Sequence, residues 1–294
     1  MGAKAFSTPL RYPGGKGKFS HFVKQIFETN DLLDGHYVEP YAGGAGVALE
    51  LLFHEYASHI HINDLDPAIY SFWFAAVHHT EELCKLIYDT PVTIEKWHEQ
   101  KQILLNIEKH SLLEVALATF YLNRTNRSGI LKAGVIGGLA QSGKWKLDVR
   151  YNKDDLTRRI ELIGRFKNRI HVYNMDAVAL LEEVVPSLPS KTLLYLDPPY
   201  YVKGSGLYRN FYGHDDHVKI ARALNSVRSP WIVSYDNVPQ IKEIYDQYRQ
   251  DEYFLSYTAQ DKKKGSEVMI YGPGIIVPYL ALNKFEENSS KITM

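Results

Sequence analysis

The sequence predicts an α/β fold, an open doubly wound sheet that is mostly parallel with an antiparallel edge. Three observations carry this. Short runs rich in β-branched and aromatic residues alternate with helical segments along most of the chain. The strand-like run Tyr37-Val38-Glu39-Pro40 gives way to a Gly-rich turn and then a helix. The apolar run Leu193-Leu194-Tyr195-Leu196 ends in Asp197-Pro198-Pro199-Tyr200, and ligands of open α/β sheets lie beyond such carboxyl strand ends.

Taken in order, the first strand ends at Pro40, Ala42-Gly43-Gly44-Ala45-Gly46 turns the chain, and 47–52 begin a helix. His59-Ile60-His61-Ile62-Asn63-Asp64 alternates as a strand and ends on an acid. Residues 67–87 are rich in Ala, Leu and aromatics and read as helix, capped by Asp66 with Pro67 in its first turn. Residues 94–122 are mainly helical. The segment 128–147 is Gly-rich and basic, with a hairpin expected at Gly137-Gly138. Strands over 169–173, ending near Asp176, and 192–196 flank a helix over 177–185. A helix over 215–227, a strand over 231–235, a helix over 238–248 and strands near 253–258 and 267–271 complete the pattern. This is β-α-β, a mostly helical insert, then β-α-β-α-β-α-β-β. There is no internal repeat or low-complexity segment, and about nine residues at the end are expected to fray.

The 294 residues suffice for one large or two modest domains. Hydrophobic content of 45% and charged content of 23% suit a soluble globular protein. The formal net charge is zero, so any basic surface must be local. Cys84 is the single cysteine. That excludes a disulfide framework and a thiolate zinc site and suits the reducing cytoplasm. No signal peptide is evident and no apolar stretch reaches about 18 residues, so neither secretion nor membrane spanning is expected.

The prolines after Asp197 lack N–H groups and fix φ, so the backbone there is stiff. A carboxylate, a rigid carbonyl and an aromatic ring then project together. They can accept both hydrogens of an exocyclic amine and stack on the ring that bears it, as amino-methyl transfer to a nucleic-acid base requires. The glycines Gly43, Gly44 and Gly46 let backbone approach a ligand closely; a tight strand–helix connection would need them equally. No Lys-Ser/Thr follows, so this is not a P-loop. Asp64, about 20 residues on, is where an acid takes two ribose hydroxyls of a nucleoside ligand. Arg11-Tyr12-Pro13-Gly14-Gly15-Lys16 aims Lys16 from a Pro-Gly-Gly turn, either into solvent or at a ligand carboxylate. His214-Asp215-Asp216-His217 has the look of a metal cluster, but the spacing and ligand count are wrong and an acid at a helix start is a common cap; no metal is expected.

With these pieces in place the chain resembles the Dam-type family of DNA adenine-N6 methyltransferases. The resemblance rests on Tyr12-Pro13-Gly14-Gly15-Lys16, Val38-Glu39-Pro40-Tyr41-Ala42-Gly43-Gly44-Ala45-Gly46, Asn63-Asp64, Tyr121-Leu122-Asn123-Arg124, Asp197-Pro198-Pro199-Tyr200 and Ser234-Tyr235-Asp236-Asn237, in the family's order. Tyr41 stands where the family often has Phe. The resemblance implies a Rossmann-like methyltransferase sheet split by a mainly helical, hairpin-bearing target-recognition insert. The expected organisation is 1–72 and 170–294 as the two parts of a catalytic domain, with 73–169 as the insert. It implies S-adenosylmethionine as cofactor, with S-adenosylhomocysteine as product. The implied cofactor contacts are Tyr12, Lys16, Glu39, Tyr41, Gly43, Gly44, Gly46, Asp64, Asp176 and Asp197, and the implied catalytic residues are Asp197, Pro198 and Tyr200. Double-stranded DNA is the expected partner, met in the cytoplasm, with the target adenine flipped out of the duplex. A restriction or other defence partner, the recognition sequence, and the choice between monomer and weak dimer stay open.

The insert agrees with that reading. From Arg124 to Arg169 twelve Lys or Arg face four Asp or Glu, with Trp145 and Tyr151 interleaved. Charge alone would more often mark a solvated face; inside the insert it marks a phosphate-contact surface. Asn123, Arg124, Asn126, Arg127, Lys144 and Lys146 are the candidate DNA contacts, since Arg suits guanine or phosphate and Asn suits adenine. Lys262-Lys263-Lys264 is equally a DNA contact or an exposed hairpin tip. Cytosine-N4 methylation is the nearest alternative, with Ser more often in place of Asp197. An RNA or protein-glutamine methyltransferase and a catalytically silent DNA-binding relative are the others.

Overall fold

The computed structural model describes residues 8–11, 19–202, 212–255 and 265–278. Its strands are β1 (Gly35–Glu39), β2 (Ala57–Asn63), β3 (Ile170–Tyr173), β4 (Thr192–Leu196), β5 (Trp231–Asp236), β6 (Arg249–Leu255) and β7 (Gly265–Tyr271). They form a seven-stranded sheet in the order β3-β2-β1-β4-β5-β7-β6. β1 is parallel to β2 and β4, and β4 to β5; β7 is antiparallel to both β5 and β6. The expected parallel sheet with an antiparallel edge is what the chain builds. Strand order reverses between β1 and β4, which opens a crevice at their carboxyl ends.

The chain divides into two compact units. One holds Met1–Gly15, Gly43–Gly46 and Asp64–Asn174; the other holds Lys16–Ala42, Val47–Asn63 and Met175–Met294. In the latter, β4 and β5 are buried throughout, which is why they read as near-continuous apolar runs. Helix α1 (Phe19–Thr29) adds to the expected pattern. Its Phe19, Phe22, Val23, Ile26 and Phe27 recur at helical spacing and are all buried. The Phe19 ring lies 4.7 Å from that of Tyr195, and Phe27 lies 6.2 Å from Tyr37. Each such side chain contributes about 1.5–3 kcal/mol by leaving water. Helix α2 (Gly46–Phe53) follows the Gly-rich turn.

The other unit is mainly helical, and here the structure refines the expected boundaries. The run 67–87 is two helices, α3 (Pro67–His78) and α4 (Thr80–Asp89). His79 leaves helical geometry at φ −129 and ψ 42, and the Thr80 hydroxyl donates back to the Ala76 carbonyl at 2.8 Å. The run 94–122 is α5 (Ile94–Leu105) and α6 (Leu112–Thr125), the second opened by a capping box between Ser111 and Glu114. Helix α7 (Lys153–Arg165), capped by Asn152, follows the basic loop.

The hairpin expected at Gly137-Gly138 is a correction. Both glycines take positive φ, 84 and 75, but the pairing in this stretch is an isolated antiparallel bridge between Asn126 and Val135. The loop closes on a side chain instead of a ladder. Gln141 Nε2 donates to the Ile136 and Gly138 carbonyls at 2.8 and 2.6 Å, and its Oε1 accepts from Leu147 N at 2.9 Å. Downstream, α8 (Ala177–Ala179) continues as a π turn over Leu180–Val184, and α9 spans His214–Leu224. Helix α10 (Pro239–Ile244) is shorter than expected because β6 begins at Arg249.

Candidate active site

Strand register builds the reacting end. Leu196 of β4 pairs with Val233 of β5, which brings Asp197 beside Ser234. The Ser234 hydroxyl donates to Asp197 Oδ1 at 2.8 Å. Its single hydrogen is spent there, so the Tyr195 hydroxyl, 2.8 Å from Ser234 Oγ, is the donor of the second bond. Tyr195 is buried, and burial, with the Asp197 charge behind it, holds its phenol well above the usual range. The relay Tyr195→Ser234→Asp197 orients the carboxylate from inside the sheet.

The same strands clamp the backbone and ring that follow. Asp236, at the end of β5, accepts from Tyr201 N at 2.9 Å and Val202 N at 3.0 Å, one on each carboxylate oxygen. The Tyr200 hydroxyl donates to Glu267 Oε1 at 2.6 Å, and Tyr253 donates to the other oxygen at 2.5 Å. Pro198 and Pro199 are buried, while Asp197 and Tyr200 are half-buried. The motif therefore holds a carboxylate, a stiff backbone and an aromatic ring on separate anchors.

Ser234 and Asp236 lie in a motif of the sequence that assigns them no role, and Glu267 lies in none of the motifs. A signal existed for the first two. They interrupt a wholly buried apolar strand, and a polar group there must have a partner.

Around this end lies a ring of aromatics. Tyr41 OH is 3.4 Å from Tyr212 OH, and the His217 ring lies 5.2 Å from Tyr201 and 5.7 Å from Tyr212. His217 Nδ1 is 3.0 Å from Tyr235 OH. Burial lowers the pKa of that imidazole, against the pull of Asp236 and Asp216. His217 is thus a core group, and among the described residues no cluster of three or more His, Cys, Asp or Glu could hold a metal ion. Tyr212 and the exposed Asp176 line a groove of 1210 Å³ between α8 and α9. Asp176 also caps α8 by accepting from Val178 N at 2.9 Å. Glu39 is buried; its Oε1 accepts from Tyr37 OH at 3.0 Å and from Ala48 N at 3.1 Å, so it holds the start of α2.

In the helical unit, Gly43 takes φ 45 and donates its N–H to Asp64 Oδ2 at 3.0 Å. The Gly43 carbonyl accepts from Trp73 Nε1 at 2.8 Å. Asp64 Oδ1 accepts from Asp66 N at 2.9 Å. Asp66 in turn caps α3, as expected, by accepting from Ala68 N. The acid at the end of β2 thus pins the Gly-rich turn. Burial pushes the Asp64 carboxyl up to about 7; the two N–H bonds oppose the rise and the charge of Asp66 adds to it. Among the described residues, a Cβ added at Gly46 would meet Thr8 Cγ2 at 3.8 Å, an ordinary contact distance. Tyr12, Lys16 and Lys262–Lys264 lie outside the described residues.

The candidate DNA contacts separate into two groups. Asn123 and Asn126 are buried. Asn123 Oδ1 accepts from Arg11 N at 2.7 Å, and Nδ2 donates to the Arg11 and Gly129 carbonyls at 2.7 and 2.9 Å. Asn126 accepts from Trp97 Nε1 at 2.7 Å and donates to the Ile130 and Leu131 carbonyls, each at 3.0 Å. Arg124 donates to the Arg150 and Pro9 carbonyls at 2.7 and 3.3 Å. These three side chains bind the basic loop and the amino-terminal segment to α6. Arg127, Lys144, Trp145 and Lys146 are exposed; Lys144 Nζ sits 5.5 Å from the Trp145 ring centre and Lys146 donates to the Gln141 carbonyl.

Among solved structures, the chain is similar to one described as a candidate RNA methyltransferase from Pyrococcus horikoshii. Identity is 10%, coverage 89% of this chain and 85% of that one, and the TM-score 0.41. It is also similar to a candidate class I S-adenosylmethionine-dependent methyltransferase from Listeria monocytogenes. There identity is 9%, coverage 89% and 62%, and the TM-score 0.39. No curated protein matches the chain. A family profile described as D12 class N6 adenine-specific DNA methyltransferase matches residues 12–261.

Proposed function

Because the chain belongs to the D12 class N6 adenine-specific DNA methyltransferases, we propose that Asp197, Pro198 and Tyr200 are its catalytic groups. The family's reaction moves a methyl group to adenine N6 in DNA. S-adenosylmethionine, the cofactor, supplies that methyl on a sulfonium.

The exocyclic amine is a poor nucleophile because its lone pair is delocalised into the ring. Asp197, oriented by Ser234, accepts one amine hydrogen and the Pro198 carbonyl accepts the other. The nitrogen becomes more tetrahedral and its lone pair is freed for attack. The same acceptors stabilise the positive charge that develops on nitrogen, and the proton lost afterwards leaves through the carboxylate. Tyr200, steadied by Glu267, stacks on the base, which must first leave the duplex.

For the cofactor we assign Asp64 to the ribose hydroxyls, with the backbone of Gly43, Gly44 and Gly46 beside the ligand. Asp176 and Tyr41 take the adenine end, and Lys16 with Tyr12 the methionine end. Glu39 acts through the α2 start that it holds. The Gly43 N–H held on the Asp64 carboxylate supports the ribose assignment. Residues 73–169 select the target in double-stranded DNA through exposed Arg127, Lys144 and Lys146, while Asn123, Arg124 and Asn126 hold that surface in shape. The protein works in the cytoplasm, where its substrate is.

The observation that carries this reading is the internal donor aimed at Asp197 at the end of β4. Nucleoside mass spectrometry of DNA from expressing cells tests it. N6-methyladenine is expected with the wild type, and Asp197→Ala is expected to lower turnover on the order of 10²-fold or more while the protein still folds. Near-normal turnover in that variant would reject the assignment.

A further inference from the structure

Within the helical unit four arginines gather around the segment Thr8–Arg11. Arg124 donates to the carbonyls of Pro9 and Arg150, Arg159 to the carbonyl of Thr8 at 3.1 Å, and Arg11 to that of Asn126 at 3.2 Å. Arg150 is joined to the group through its carbonyl, which accepts from Arg124 Nε at 2.7 Å, and its charge acts on both Arg11 and Arg124. Carbonyl oxygens satisfy hydrogen bonds but carry no charge. Among the described residues, the carboxylate bound within this group is Asp155, on Arg159 at 2.6 Å. The described segment Thr8–Arg11 contains no Asp or Glu. Arg159 Nε is buried without a partner.

Holding like charges together under partial burial is costly. The strain is visible at Arg124, which burial, followed by the charges of Arg11 and Arg159, lowers to about 9; it is still a cation at neutral pH. Arginine is the residue suited to planar, forked recognition of phosphate oxygens.

We propose that Arg11, Arg124, Arg150 and Arg159 form a binding site for a backbone phosphodiester of the DNA substrate. This inference rests on the DNA methyltransferase reading and adds to it a contact that is independent of base sequence. Arg150 is the exposed member, and the contact that it makes to Arg124 uses its carbonyl, so its side chain can be changed while that bond stays.

The test is fluorescence anisotropy with labelled duplexes of several unrelated sequences, titrated across salt. Arg150→Ala should weaken binding by the same factor on every duplex and shrink the slope of log K against log salt by about one. Arg150→Glu should weaken it further. Asp155→Asn, which removes the counter-charge, should tighten binding. Cofactor affinity by calorimetry should stay at the wild-type value in all three. A wild-type slope in both Arg150 variants would overturn this inference alone, as would a loss confined to cofactor affinity, which would assign the cluster to a cofactor carboxylate. If the wild type itself bound DNA without salt dependence, the DNA reading would fall and this site with it.

Discussion

Ser234 is 37 positions from Asp197 in the chain and 2.8 Å from it in space. A hydroxyl-to-carboxylate bond is worth about 1.5–3 kcal/mol when it is realised in full. If it serves to aim the carboxylate at the amine, Ser234→Ala should lower kcat by roughly 10- to 100-fold and leave the KM for the cofactor near its wild-type value. Ser234→Thr should restore most of the loss; a parallel rise in KM would instead assign the serine to cofactor binding.

Asp64 makes a second prediction, on pH. Its carboxyl is raised to about 7, first by burial, so the folded protein disfavours its ionised form. Two consequences follow, and they run in opposite directions with pH. The ionised carboxylate is the better acceptor for ribose hydroxyls, so calorimetric affinity for S-adenosylmethionine should rise as pH climbs through about 7, and Asp64→Asn should flatten that dependence. The unfolded carboxyl ionises near 3.9, so this group's contribution to the stability of the cofactor-free protein is full below that value and is lost as pH rises toward 7.

Elements are positioned by contacts that tolerate little change. Helices α4 and α7 meet at Gly164, where an added Cβ would lie 2.4 Å from Thr80 Oγ1 and 2.7 Å from its Cγ2. Thr80 is the first residue of α4, immediately after the break at His79. The missing side chain in α7 is thus what lets α4 start where it does. Gly164→Ala gains helix propensity but forces this packing apart, and overpacking of that kind costs about 1–3 kcal/mol. Thermal unfolding should show a destabilised variant with little change in cofactor affinity; a stabilised one would mean that the helices separate freely. The capping box of Ser111 and Glu114 and the Asp66 cap show the opposite case. There the start of an element is written in neighbouring residues and was accessible to reading, although only the Asp66 cap was drawn from the sequence. The loop over 128–147 belongs with α4. Its Gly pair does form tight turns, but Gln141, not a strand partner, closes it.

For the whole molecule, the sequence by itself determined the alternation of strands and helices, the antiparallel edge, the strand-end motif and the family, because these depend on local periodicity and on residue types a few positions apart. It also singled out Asp197, Tyr200 and Asp64, whose chemical roles are proposed above, for the same reason. Only the tertiary structure decided which groups serve them. Ser234 reaches Asp197 through the register of β4 with β5, and Glu267 reaches Tyr200 across 67 positions. Asn123 and Asn126, read from their type as base contacts, are committed inside the fold, with Asn123 bound to Arg11 across 112 positions. The gathering of arginines about Thr8–Arg11 was hidden as well, because Arg124 and Arg159 reach that segment across 115 and 151 positions. Burial and register are properties of the assembled sheet and helices, and a side chain's type does not reveal whether its hydrogen bonds go to a ligand or to backbone that the fold brings beside it.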